Sequence, residues 1–176
     1  LELRRVLFRS WRVTNTGTAA LFAGSALDDT LIGASGDDTL SGGLGNDVLT
    51  GAGGADLFDA NAGADTITDL GVGADRLRVG TGVTVNANVV GDWTAGADST
   101  NKGVANLTSD GRLIDLSAIT TDNGWNLINA GTGAALTGSA LSDTMAGGAG
   151  NDTLRGGPSN DTLTGGSGDD LVLVDF

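Results

Sequence analysis

The sequence predicts an all-β fold: a parallel β-roll (β-solenoid) of nine-residue repeats, in two arrays joined by a β-rich spacer. Three observations carry that expectation. Glycine is unusually common, at 31 of 176 residues, against ~7% in ordinary proteins. The acids are nearly all of one kind: of 22 acidic residues only Glu2 is glutamate, and the other 21 are aspartate. Glycine, aspartate and an apolar residue also recur in a fixed nine-residue phase, in two separate stretches.

Taken in chain order, residues 1–10 (LELRRVLFRS) stand apart. They hold three of the nine basic residues and the single Glu, and no Gly, Asp or Ala. A basic amphipathic anchor is one reading. The reading adopted is a foreign segment, such as a translated adaptor, lying outside the fold and carrying no signal-peptide pattern.

The first array, with a leading strand, occupies residues 11–68. Its units begin at Gly24, Gly33 (GASGDDTLS), Gly42 (GGLGNDVLT), Gly51 (GAGGADLFD) and, in degenerate form, Ala60 (ANAGADTIT). The second array occupies residues 125–176, with units from Gly138, Gly147 (GGAGNDTLR), Gly156 (GGPSNDTLT) and Gly165 (GGSGDDLVL). The sixth position is Asp in all nine units, from Asp29 to Asp170, and the eighth is always apolar. Glycines at positions one, two and four are expected to give the backbone φ > 0. The last three residues then form a short strand with its middle residue inward. Two units make one turn of the solenoid, so units n and n+2 stack at the strand spacing.

Residues 69–124 form the spacer. Val83, Val85, Ala87 and Val89 alternate with Thr84, Asn86 and Asn88, the pattern of a half-buried strand. Further short strands are expected over 104–107 and 113–119, with turns at Asp110-Gly111 and Asn123-Gly124. The stretch reads either as a separate β-rich linker or as more solenoid with irregular turns. No segment sustains a helical apolar period, so almost no helix is predicted. A longer period overlies the short one: Trp11 matches Trp125, and Gly24-Ser-Ala-Leu27 recurs as Gly138-Ser-Ala-Leu141, each pair 114 residues apart. The chain thus reads as one super-repeat and the start of a second, within a longer tandem-repeat protein.

Composition narrows the chemistry. The net charge is −13 and the pI about 4.1, which attracts cations and makes nucleic acid a poor partner. With no Cys and no His, thiolate and imidazole metal sites, disulfides and a Ser-His triad are excluded. There is no GxSxG elbow and no HExxH helix. Adjacent acids such as Asp37-Asp38 or Asp169-Asp170 lack an aromatic platform, and neighbours on a strand face opposite ways. They read as a ligand and its solvated neighbour rather than as glycosidase carboxylates. Trp11, Trp93 and Trp125 read as packing or capping residues. No apolar run is long enough to span a membrane. The expectation is a protein that is not an enzyme.

What remains is a hard-cation site. A Gly-rich turn can aim several carbonyl oxygens at one point, and the sixth-position Asp adds a carboxylate. Ca²⁺ accepts such mixed oxygen shells. One inward side chain per nine residues does not offset the entropy of ordering them, and stacked carboxylates repel. The chain is therefore expected to be disordered without calcium and to fold at roughly 0.1–1 mM calcium, the range of extracellular modules.

GGLGNDVLT, GGAGNDTLR and GGSGDDLVL resemble the nonapeptide of RTX, or haemolysin-type, calcium-binding repeats, a likeness covering about half the chain. The stretch from Asp65 through Asp75 to Leu77 is similar to the segment that often follows such arrays. The resemblance implies a parallel β-roll, Ca²⁺ as cofactor and export from bacteria to the cell surface or beyond. It also implies a ligand set: carboxylates of Asp29, Asp38, Asp47, Asp56, Asp65, Asp143, Asp152, Asp161 and Asp170, and turn oxygens at Gly33, Ser35, Gly42, Leu44, Gly51, Gly53, Gly147, Ala149, Gly156, Gly165 and Ser167. Leu27, Leu141 and Ser159 replace the fourth-position glycine, so those turns should bind weakly or act as caps. The units from Gly33, Gly42, Gly147 and Gly165 are the best candidates. Two roles suit such a segment: a structural or adhesive stalk whose target lies elsewhere, or the calcium-binding tail of a secreted hydrolase.

Overall fold

A computed structural model describes residues 10–175. The expectation for the N-terminal segment therefore falls almost wholly outside the described residues. Nineteen strands and no helix make up the described chain. Nine of them stack in chain order into one long parallel sheet: Arg12–Thr14, Thr30–Ser35, Val48–Gly53, Ala64–Leu70, Thr84–Val89, Val104–Ser109, Asn126–Asn129, Thr144–Ala149 and Thr162–Ser167. The opposite side is covered by two five-stranded parallel sheets. One runs from Leu21–Ala23 through Thr39–Ser41, Leu57–Ala60 and Arg76–Val79 to Thr100–Asn101. The other runs from Trp93–Thr94 through Ile114–Asp115, Ala135–Thr137 and Thr153–Arg155 to Leu171–Leu173. This is the parallel β-roll that the nonapeptide phase predicts.

Alternation along each strand sends one side chain inward, and these inward residues, which in most array units are the eighth-position ones, make the core. Leu31, Leu49, Ile67, Ala87, Leu107, Leu127 and Met145 form one continuous inward row across the long sheet. Facing them, Leu40, Phe58 and Leu77 share a row on the first short sheet, and Trp93, Ile114, Leu136 and Leu154 on the second. All of these are buried. Outside, Asn126 donates to Asn106 (2.8 Å) and Asn106 to Asn86 (2.9 Å), an amide ladder along three turns.

The long sheet passes through residues 69–124 without interruption, so that stretch is more solenoid with irregular turns. Val83, Val85, Ala87 and Val89 are buried, as their alternation predicts. The strand expected over 113–119 is only Ile114–Asp115. Turn length is what changes. Partners are 18 residues apart from Arg12 to Thr30, Val48 and Thr66, then 20 apart to Asn86, Asn106 and Asn126, then 18 again. Six turns thus separate Arg12 from Asn126, the same 114 residues that separate the two copies in the sequence. One of the longer turns accommodates a third short side: between Val89 and Val104 the chain contributes Trp93–Thr94 to one short sheet and Thr100–Asn101 to the other. The indoles of Trp93 and Trp125 lie 6.3 Å apart, tilted by 60°, in the core at this point. Trp11 occupies the position equivalent to Trp125 and is 52% exposed, against 1% for Trp125.

Candidate metal centres

The turns are built as the spacing demands, with one difference. Positions two and four do adopt the left-handed region: Gly43 and Gly45 (φ 102° and 112°), Gly148 and Gly150 (88° and 95°), Gly166 and Gly168 (113° and 130°). Ala34, Ala52 and Ser159 hold the same positions at φ 144°, 73° and 97° without being glycine, a conformation that strains a residue with a Cβ. Position one is not in that region. It is glycine because its own unit's carboxylate folds over it. A Cβ on Gly33 would lie 2.5 Å from Asp38 Oδ2, and one on Gly147 2.7 Å from Asp152 Oδ2. The carbonyl oxygen of the first-position glycine one turn further on, Gly51 or Gly165, crowds the same point. The expectation of φ > 0 at all three glycines is thereby corrected: position one is a space requirement, not a dihedral one.

The sixth-position aspartates line up on the two edges of the roll. On one edge Asp29 N–H donates to Asp47 Oδ1 (2.8 Å) and Asp47 N–H to Asp65 Oδ1 (3.0 Å). On the other, Asp38 N–H donates to Asp56 Oδ1 (2.8 Å) and Asp56 N–H to Asp75 Oδ1 (3.0 Å). The second array repeats the pattern from Asp143 to Asp161 (2.9 Å) and from Asp152 to Asp170 (3.0 Å). Each Oδ1 is thus fixed by the preceding turn, which leaves Oδ2 to find a partner. In Asp38, Asp47, Asp65 and Asp152, Oδ2 is buried with no hydrogen-bond partner among the described residues. A carboxylate can only accept, and an unpaired buried anionic oxygen is costly.

Other aspartates are satisfied from within. Ser139 donates its backbone N–H (2.6 Å) and its hydroxyl (2.9 Å) to Asp143 Oδ2, and the Ser25 N–H does the same for Asp29. Those two units lack the φ > 0 turn, consistent with Leu27 and Leu141 in place of glycine. Fifth-position residues cap turns rather than merely facing solvent: Asn46 N–H donates to Asp28 Oδ1 (2.8 Å), and Ala55 N–H to Asp37 Oδ1 (2.9 Å). Of the third-position carbonyls, those of Gly53, Ala149 and Ser167 already accept a backbone N–H from the preceding turn.

Asp75 is a ladder member that nine-residue counting misses. LGVGADRLR, residues 70–78, has left-handed Gly71 and Gly73, Asp75 sixth and buried Leu77 eighth. One inserted residue puts it out of phase, and that insertion is the β-bulge between Ile67 and Leu70. The inserted Asp69 turns its carboxylate onto the N–H groups of Gly51 (3.0 Å) and Ala52 (2.7 Å). Scanning with a one-residue slip would have found the unit. Asp75 Oδ2 accepts from Gly71 N–H (2.9 Å).

Electrostatics follow the stacking. Burial, aided by neighbouring carboxylates, pushes the Asp56 and Asp65 carboxyls up to about 6, and raises Asp47, Asp75 and Asp143 as well. For Asp29 burial acts upward, but the Ser25 and Trp11 donors together outweigh it and the net shift is downward.

No group of three or more acidic, His or Cys side chains converges among the described residues. Any ion here would therefore be held by one or two carboxylates and by backbone carbonyls. The orphaned Oδ2 atoms of Asp38 and Asp152 lie beside the carbonyl oxygens of Gly51 and Gly165, around a point that a Cβ would fill, and this fits a hard, oxygen-seeking divalent ion. They do not fit a transition metal that wants nitrogen or sulfur.

A parallel β-roll whose turns carry buried carboxylate ladders defines a structural cation-binding repeat module. Residues 23–58, 32–67 and 137–172 match the family described as the RTX calcium-binding nonapeptide repeat in four copies. The two arrays are RTX-type repeats, and Ca²⁺ is the ion that family binds. No curated protein and no solved structure matches the chain.

Proposed function

We propose that this chain is a non-catalytic calcium-responsive segment of an exported repeat protein, whose arrays take their ordered form when Ca²⁺ fills the turns. The observation that carries this reading is the set of orphaned buried oxygens on Asp38, Asp47, Asp65 and Asp152. The ligands are these carboxylates, with Asp56, Asp161 and Asp170 in the same ladders, together with the carbonyls of the first-position glycines. Bound calcium neutralises the stacked charges, and because the ladders link each turn to the next, binding is coupled to stacking. Asp29 and Asp143 hold their own donors and belong to turns that start each array without an ion.

Weak sites of this kind are empty at cytosolic calcium and filled outside the cell, which suits export in an unfolded form and an extracellular location. Three functional sections follow: a first array at 11–68, a spacer at 69–124 and a second array at 125–176. Between the two roles open from the sequence, the whole-number match between 114 residues and six turns favours the stalk: tandem copies continue one solenoid without a change of phase. Isothermal titration calorimetry tests the reading, with Ca²⁺ against Mg²⁺ at equal ionic strength. Saturable calcium heat in the sub-millimolar to millimolar range, with no comparable magnesium signal, is expected. Absence of calcium heat would remove the proposal.

A further inference from the structure

The two arrays and the section between them close their turns by different chemistry. All four buried side-chain oxygens left without a partner among the described residues belong to array aspartates. Between Leu70 and Ala134 the one buried carboxylate, Asp75, has its own backbone donor in the Gly71 N–H, and the other buried polar turn positions among the described residues are taken by neutral groups that both donate and accept. Asn101 donates to Gly124 O (2.7 Å) and accepts from Gly103 N–H (3.2 Å). Ser109 donates to Arg112 O (3.0 Å) and accepts from Arg112 N–H (2.8 Å). Asn129 Oδ1 accepts from Gly111 and Gly131 N–H (both 2.9 Å). An amide or hydroxyl can both donate and accept within its own turn, whereas a carboxylate can only accept and is left orphaned wherever the turn brings no donor to its second oxygen.

The core is distributed in the same way. Of the 26 buried apolar residues, 16 lie between Leu70 and Leu127, including both buried tryptophans. Only Met145 and Leu154 of the second array's units are among them. The 20-residue turns of the middle section thus bury more apolar residues per turn than the 18-residue array turns.

From these two independent observations we infer that residues from about 70 to 134 form a calcium-independent folded core, onto which the arrays order from both sides when calcium binds. The inference rests on the calcium reading of the arrays. Protein groups alone tie the junctions: Asp56 N–H donates to Asp75 Oδ1 (3.0 Å) on one side, and Asn129 Nδ2 to Asp152 Oδ1 (3.2 Å) on the other. Without calcium the protein is a short folded block with two disordered flanks. With calcium it is a continuous rod. Each super-repeat of such a rod carries its own template, so ordering spreads only a few turns from each block.

Hydrogen–deuterium exchange of the whole chain, in EGTA and in millimolar calcium, tests this. Peptides within 83–131 should be protected in both conditions. Peptides within 33–68 and 147–170 should exchange freely in EGTA and gain protection with calcium. Unprotected 83–131 peptides in EGTA would overturn the core. Array peptides protected equally in EGTA would instead overturn the calcium reading beneath it. A second readout uses Trp11→Phe, which leaves Trp93 and the buried Trp125 as reporters. Their emission should stay blue-shifted in EGTA, and a red shift to that of solvated indole would contradict the core.

Discussion

At the scale of single residues, the difference between Asp47 and Asp29 is the most informative. Both sit sixth in a nonapeptide and both are buried, yet Asp29 has Ser25 as a donor while Asp47 Oδ2 has none among the described residues. Asp47→Asn should raise the calcium midpoint about tenfold, because losing one charged oxygen ligand costs on the order of 1.5 kcal/mol. Asp29→Asn should leave the midpoint within about twofold, a few tenths of a kcal/mol. Equal effects in a titration of the two variants would refute the assignment of free and self-capped carboxylates. Glycines divide in the same way. A Cβ on Gly42 collides with Asp47 Oδ2, whereas one on Gly53 meets only Ala34 O, at 3.9 Å. Gly42→Ala should therefore abolish calcium-induced ordering of its array, and Gly53→Ala should change stability by no more than about 0.5 kcal/mol. The sequence showed that glycine holds the first position in eight of the nine units. It could not show that the reason is a carboxylate folded over that α-carbon, because the packing of one side chain on another backbone is not written in the spacing.

The pH response belongs to this scale too. Burial in the stacked turns pushes the Asp56 and Asp65 carboxyls up to about 6 from an ordinary 3.8. Their folded values are raised, so between about pH 6 and pH 4 the folded state holds protons that the unfolded chain has released. The calcium-free fold therefore gains stability as pH falls through that window. Calcium needs the ionised form and must displace those protons, so its affinity falls over the same interval. The calcium midpoint should be higher at pH 5.5 than at pH 7.5, while β-sheet signal in EGTA should be greater at pH 5 than at pH 7.5. A midpoint that does not move with pH would remove these carboxylates from the ligand set.

At the scale of elements, strand existence was legible and turn length was not. The inward row from Leu31 to Met145 follows from apolar alternation, and so do the buried positions of the Thr84–Val89 strand. The step from 18 to 20 residues per turn was hidden, because alternation marks neither the bulged residue in the first longer turn nor the third short side in the second. The unit at 70–78 was hidden by the single bulged residue that shifts its phase. The same register explains what each row contributes. Leu107→Ala removes a fully buried side chain from the central turns and should cost about 2–5 kcal/mol, lowering the melting temperature measured in EGTA. Ile128→Ala, on a side chain 47% exposed on the outer face, should cost no more than about 0.5 kcal/mol. Comparable losses would mean that the inner and outer faces are misassigned.

At the scale of the whole molecule, a charge of −13 on a chain with a thin core sets the behaviour. Charge that repels when the turns stack makes the arrays dependent on a counter-ion, while neutral turns and most of the apolar burial gather in the middle. The calcium chemistry was legible in the sequence because nine aspartates all hold the sixth position of their units, five in one array and four in the other. The division into ion-dependent and ion-independent sections was not, because it depends on which buried oxygens find donors after folding. Far-UV circular dichroism of the intact chain, titrated with Ca²⁺ from an EGTA-treated start and with Mg²⁺ as control, tests the central claim most directly. A partial β-sheet spectrum is expected in EGTA, growing as calcium reaches the sub-millimolar to millimolar range, reverting on chelation and not responding comparably to magnesium. A spectrum that is the same with and without calcium would contradict it.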